Sequence, residues 1–129
     1  YNRDTAAYLQ YSAVSAKSLL EKAGGKVKPR ELKTGGDNGE LNEEEKKLVE
    51  KISLFPAIVS QAAGHYSPHI VCEYLLKLAA AFNEFYAKHS VLDADSEGKK
   101  KTRLALVAAT ANVIENGLKI IGVKVPKKM

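Results

Sequence analysis

Apolar residues at Leu104, Val107, Ala111, Ile114, Leu118 and Ile121 are separated by alternating steps of three and four. That period predicts one long helix with a narrow apolar seam. A helix of this length spans roughly 35 Å and must lie along partner helices. The same period recurs upstream. Leu9, Ala13, Ala16, Leu20 and Ala23 mark the buried side of a first helix, from about Arg3 to Ala23. Gly24 and Gly25 stop it, because glycine accepts the left-handed conformation of a helix C-cap. Asn42 with Glu45 three residues later has the spacing of a capping box. It opens a second helix that runs to about Leu54 and buries Leu48, Val49 and Ile52.

Phe55-Pro56 restarts a short third helix with Ile58, Val59 and Ala62 inward and Gly64 at its end. Ser67 caps a fourth helix, and Pro68 occupies its first turn, where a missing N–H costs nothing. Val71, Tyr74, Leu75, Leu78, Phe82, Phe85 and Tyr86 keep the helical period to about His89. Asp93 to Gly98 form a turn, with Asp95 or Ser96 capping the last helix. The stretch from about Lys26 to Leu41 contains Pro29 and Gly35-Gly36-Asp37-Asn38-Gly39, which no regular element tolerates, and reads as a mobile surface loop. No segment alternates with period two, so no sheet is expected. The prediction is an all-α bundle of about five helices in one domain, without internal repeats.

Composition narrows the chemistry. The 129 residues are 45% hydrophobic, enough for one ordinary core. The net charge of +5 favours an anionic partner mildly. Its basic residues group at Lys26, Lys28, Arg30 and Lys33, at Lys99, Lys100, Lys101 and Arg103, and at Lys124, Lys127 and Lys128. Such runs either face solvent or neutralise phosphates. Glu43-Glu44-Glu45 suits the positive end of a helix dipole. A lone cysteine, Cys72, allows no internal disulfide and fits a reduced, intracellular setting. No apolar run is long enough to span a membrane, and no signal-peptide pattern is present. His69 and Cys72 share a helix, but two ligands are too few for a zinc site, and His65 and His69 are separated by the expected chain turn. No metal is expected. No paired carboxylates or nucleophile–base spacing indicate catalysis in these residues, and the glycine-rich stretch matches no phosphate-binding loop.

Four segments resemble the C-terminal anticodon-binding (DALR) domain of arginyl-tRNA synthetases. Tyr8-Leu9-Gln10-Tyr11 resembles the Y-x-Q-Y of that family's first helix. Phe55-Pro56, Val59 and Ala62-Ala63 resemble its F-P-x-x-V segment. Pro68-His69-Ile70, Tyr74-Leu75, Leu78-Ala79 and Phe82-Asn83-Glu84-Phe85-Tyr86 resemble P-x-x-I, Y-L, L-A and F-N-x-F-Y. Arg103-Leu104-Ala105-Leu106, Gly117-Leu118, Ile121-Gly122 and the final Pro126-Lys127-Lys128-Met129 resemble the R-L-A-L, G-L, L-G and P-x-x-M of its end.

The resemblance implies a module that holds the anticodon loop through Tyr8, Tyr11, Asn83, Tyr86 and Met129; separately, the basic groups Lys99, Lys100, Lys101 and Arg103, and Lys127 and Lys128, could flank the anticodon stem as phosphate contacts, or simply face solvent. It implies the anticodon stem-loop of an arginine tRNA as partner. The chain starts at Tyr1, and a fragment (residues 1–129) of a larger monomeric, cytoplasmic synthetase is expected. The signatures HIGH and KMSKS are absent, so ATP and Mg would serve a catalytic domain elsewhere and no cofactor is expected here. Unpaired bases are read by stacking on rings and by hydrogen bonds to their edges. Tyr8, Tyr11 and Tyr86 suit that chemistry, Tyr11 and Tyr86 more than Tyr8, with inward packing as the alternative for each; Tyr74, mid-helix among Val71, Leu75 and Leu78, reads as core. There is one departure. Where the family pattern continues H-A-R, this chain has Ala13-Val14-Ser15, and a serine cannot replace a five-donor guanidinium. Two rivals remain: a related module of another synthetase, such as the glycyl enzyme's β-subunit, and a helical protein-interaction adaptor without RNA.

Overall fold

The computed structural model describes residues 3–25, 41–65 and 67–129. The loop expected over 26–40, with Lys26, Lys28, Arg30 and Lys33, lies outside the described residues, as does the side chain of His65. Five helices follow in order: α1 (Arg3–Lys22), α2 (Glu43–Ser53), α3 (Phe55–His65), α4 (Pro68–Lys88) and α5 (Glu97–Ile120). No strand occurs among the described residues.

The caps largely follow the sequence. Gly24 and Gly25 both take positive φ, and the Gly25 N–H donates to the Leu20 carbonyl at 2.9 Å. Asn42 Oδ1 accepts from the Glu45 N–H at 2.8 Å while the Asn42 N–H donates to Glu45 Oε1 at 2.9 Å, a complete capping box. Ser96, rather than Asp95, caps α5 by accepting from the Lys99 N–H. Two caps differ from expectation. Gly64 does not end α3, which continues to His65, and Ser67 precedes Pro68 without a side-chain capping bond.

Leu54 alone separates α2 from α3. Pro56 explains the break: it has no N–H for the Ile52 carbonyl four residues back. The Tyr74 hydroxyl covers this frayed end, donating to the Lys51 carbonyl at 2.6 Å, and its ring stacks on Phe55 at 6.0 Å. Burial raises the Tyr74 phenol to about 12.

The prediction of a narrow seam on α5 needs correction. Every residue from Leu104 to Ala111 is buried. The helix is therefore the central rod, about 36 Å long, and its neighbours wrap it on several sides. Alanines at 105, 108, 109 and 111 make this possible, because small side chains let a neighbouring backbone approach. The facing side of α1 is also small, with Ser12, Ala13 and Ala16 buried; Leu9 is sealed as expected, and Leu19 takes the buried place expected of Leu20. α1 runs antiparallel to α5, fixed by the Lys17–Glu115 ion pair and by Gln10 Nε2 donating to the Lys124 carbonyl at 2.7 Å. α4 crosses close to α5 at Gly117, where a Cβ would fall 2.7 Å from Leu75 Cδ2. Gly122, at positive φ, then turns the chain so that the Val123 N–H reaches the Leu118 carbonyl.

Candidate nucleic-acid interface

Tyr8, Tyr11, Ser15 and Leu19 are spaced by three and four and share one face of α1. Asn83 and Tyr86, three apart, share a face of α4. The two faces meet where Asn83 Nδ2 donates to the Tyr8 hydroxyl at 2.8 Å. Tyr11 is 61% exposed and Tyr86 43% exposed. Tyr86 stacks on buried Phe82 at 5.9 Å, which holds the ring in place and leaves its outer part to solvent. The rings of Tyr8, Tyr11 and Tyr86 therefore do not pack into the core, whereas Tyr74 does, at 5% exposure.

A groove of about 390 Å³ opens beside Tyr86, lined by Leu19, Lys88, His89, Ser90 and Asp93 among others. Its rim is polar. His89 Nε2 lies 2.8 Å from Glu44 Oε1, and His89 Nδ1 lies 3.4 Å from Asn42 Nδ2. The ring thus reaches Asn42 with one nitrogen and hydrogen-bonds Glu44 with the other. That hydrogen bond, aided by Lys88, holds the Glu44 carboxyl below its usual range. Lys88 Nζ stands 3.5 Å from Glu44 and 3.4 Å from Glu84.

The tail after α5 is anchored to α1 by the Gln10–Lys124 bond, one residue from Tyr11, and Met129 is exposed at its end. Lys127 and Lys128 are exposed on the same tail. At the start of α5, Lys99 pairs with Asp95 at 3.1 Å and Lys101 is exposed. Lys100 and Lys101 line a second depression of about 320 Å³ with Glu97.

Arg103 sits mostly within the fold. Its side chain is 11% exposed, with Nε 2.9 Å from Glu45 Oε2, and its Nη1 donates to the Ser90 carbonyl at 2.7 Å. Two of its five N–H donors are thus held by the protein, and moving the guanidinium would strand a buried carboxylate. Glu45 thus caps α2 and holds α5 with one carboxylate. The groove residues Lys88, His89 and Ser90 escaped sequence reasoning; the one available signal was the position of Lys88 two residues beyond Tyr86 and four beyond Glu84.

Burial raises the Cys72 thiol, which disfavours a thiolate nucleophile. Among the described residues no three His, Cys, Asp or Glu side chains gather to hold a metal ion. Among them, too, no helix is long and apolar enough to cross a membrane.

The described residues form an all-helical bundle that shows solvent a tyrosine-bearing face built from two helices. Comparison with known proteins makes this specific. Residues 9–129 match the family described as the DALR anticodon binding domain, and the chain belongs to that family. It is similar to the arginine–tRNA ligase of Thermococcus kodakarensis, 38% identical over all of this chain and 20% of that protein. It is also similar to the arginine–tRNA ligase of Ligilactobacillus salivarius, 36% identical over all of this chain and 22% of that protein. Among solved structures it resembles the Thermus thermophilus arginyl-tRNA synthetase with a TM-score of 0.80 and 31% identity, over 95% of this chain and 21% of that one. The chain thus spans about one fifth of the length of the relatives it matches.

Proposed function

We propose that this chain is the part of an arginine–tRNA ligase that grips the anticodon stem-loop of the arginine tRNA. The observation that supports it most directly is the Tyr8–Asn83 hydrogen bond, which joins the tyrosine faces of α1 and α4 into one exposed surface. Loop bases stack on Tyr11 and Tyr86, while Tyr8 and Asn83 offer a ring and hydrogen-bonding groups beside them. Met129, at the end of a tail moored next to Tyr11, closes over a base. Lys99, Lys100 and Lys101, with Lys127 and Lys128, neutralise phosphates of the stem. The whole protein, in this reading a cytoplasmic monomer, uses ATP and Mg in a separate catalytic domain to join arginine to that tRNA. The present residues supply binding and discrimination.

The test is titration of this chain with anticodon stem-loops of arginine and other tRNAs. Each ring that stacks on a base is worth about 1–3 kcal/mol, so Tyr11→Ala and Tyr86→Ala should each weaken arginine stem-loop binding by roughly 5- to 150-fold. Circular dichroism should remain helical for both. Unchanged affinity in both variants would overturn the assignment of the surface. Equal binding of all stem-loops would leave an RNA module without arginine specificity.

A further inference from the structure

We propose that Lys88 is the phosphate-binding cation of the groove beside Tyr86, held in reserve by two carboxylates and released when RNA enters. This rests on the reading of the tyrosine surface as an RNA-binding face. Lys88 lines the groove two residues from Tyr86, so a nucleotide whose base lies on that ring brings its phosphate within reach of Nζ. Leu19, the α1 residue that lines the groove, carries no competing charge. Lys17 is engaged with Glu115, and exposed Lys22, further along the same stripe, is not among the lining residues.

The ion pairs of Lys88 are suited to exchange. They are long, at 3.5 and 3.4 Å, and the side chain is 55% exposed, a setting in which pairs contribute little. Both carboxylates have a second partner. Glu44 accepts from His89 at 2.8 Å, and Glu84 faces Lys47 at 3.5 Å. Lys88 can therefore leave without stranding either acid. Asp93, the carboxylate among the groove's lining residues, repels phosphate and confines it to the Lys88 side.

Lys47 is the natural control: it is equally exposed and also pairs with Glu84, yet it does not line the groove. Affinity of the chain for an arginine-tRNA anticodon stem-loop is measured from about 50 to 200 mM salt, the range over which phosphate contacts declare themselves. Lys88→Met should weaken binding about three- to tenfold at the low end and reduce the salt slope by about 0.7 to 1. Lys47→Met should leave the slope unchanged, and Glu44→Gln, which loosens the hold on Lys88, should tighten binding about two- to threefold. Lys88→Met and Lys47→Met with the same unaltered slope would overturn the role of Lys88 alone, provided that Tyr11→Ala and Tyr86→Ala still weaken binding. Failure of the unaltered chain to bind the stem-loop would overturn both readings.

Discussion

Glu44 and Glu45 are adjacent on α2, yet they look onto two different parts of the molecule. Glu45 turns into the seam of α2, α4 and α5, where it meets Arg103 at 2.9 Å and closes the capping box. Glu44 turns towards the open groove, where its partners are His89 and a distant, exposed Lys88. Tyrosines on α4 repeat the division. Tyr74 and Tyr86 are twelve residues apart, which the helical period converts to about 120° around the axis. That rotation carries Tyr74 beneath Phe55 with its hydroxyl on the Lys51 carbonyl, and leaves Tyr86 half in water. Residue type therefore does not separate structure from function in this bundle. What separates them is whether a second helix covers the side chain and satisfies its polar atoms, and the open side is where free rings and a loosely held cation remain for a ligand.

The strongest test of the sealed side is Arg103→Met. Removing one member of a buried ion pair leaves the other charge without compensation, and at the slight exposure of this pair the loss should be about 3 kcal/mol of unfolding free energy in urea. Because Arg103 also holds the Ser90 carbonyl, the loop that forms one wall of the groove should loosen with it. Lys99→Met removes an exposed pair only one helical turn away and should stay within about 0.5 kcal/mol of the parent. Equal losses in the two variants would erase the distinction between sealed and open charge.

Tyr74→Phe should cost about 1 kcal/mol near neutral pH, the usual net worth of a hydrogen bond. Its sharper signature is alkaline. The folded state holds the Tyr74 proton up to about 12, whereas an unfolded phenol releases it near about 10. The stabilisation this provides is fully present below about pH 10 and is lost as pH rises through the folded value. Urea unfolding of the parent should therefore lose stability more steeply than Tyr74→Phe between about pH 10 and 12. Parallel curves would mean that the phenol is less sealed than its contacts indicate.

Much of this contrast was legible in the sequence, and its gaps have physical causes. Helix number, the Asn42 box, the break at Phe55-Pro56 and the inward Tyr74 follow from local rules, because each depends on residues within one or two turns. The inward pairing of Arg103 is not legible because its partner Glu45 is 58 residues away, and the run of lysines beside it suggests a solvated face. The breadth of α5 was hidden by its alanines, which carry little hydrophobic signal yet decide how closely α1 can approach. The groove was invisible for the same kind of reason: Leu19 and Ser90 come together only through the packing of α1 against the end of α4. Exposure of Tyr8, Tyr11 and Tyr86 could not be decided from spacing, since a helix face three residues wide serves a core and a surface equally well.

The smallest expected effect belongs to Tyr8→Phe, and it asks what the open side uses. The variant keeps the ring and removes the oxygen that accepts from Asn83. That bond is exposed, so unfolding free energy should change by no more than about 0.5 kcal/mol. Since Asn83 supplies the proton of the bond, the Tyr8 hydroxyl proton remains free to donate to a base edge, and ring and hydroxyl make different predictions. If stacking dominates, stem-loop affinity stays within about twofold of the parent, whereas Tyr8→Ala loses at least about fivefold. If the hydroxyl reads an edge, Tyr8→Phe itself loses about tenfold and does so only for the loop sequence that presents an acceptor there. The geometry favours stacking. The Asn83 amide fixes the phenol oxygen at the junction of α1 and α4 and so holds the ring in one place on the exposed surface. The twofold limit is therefore the expected outcome, and a sequence-dependent tenfold loss would reassign Tyr8 from a platform to a reader.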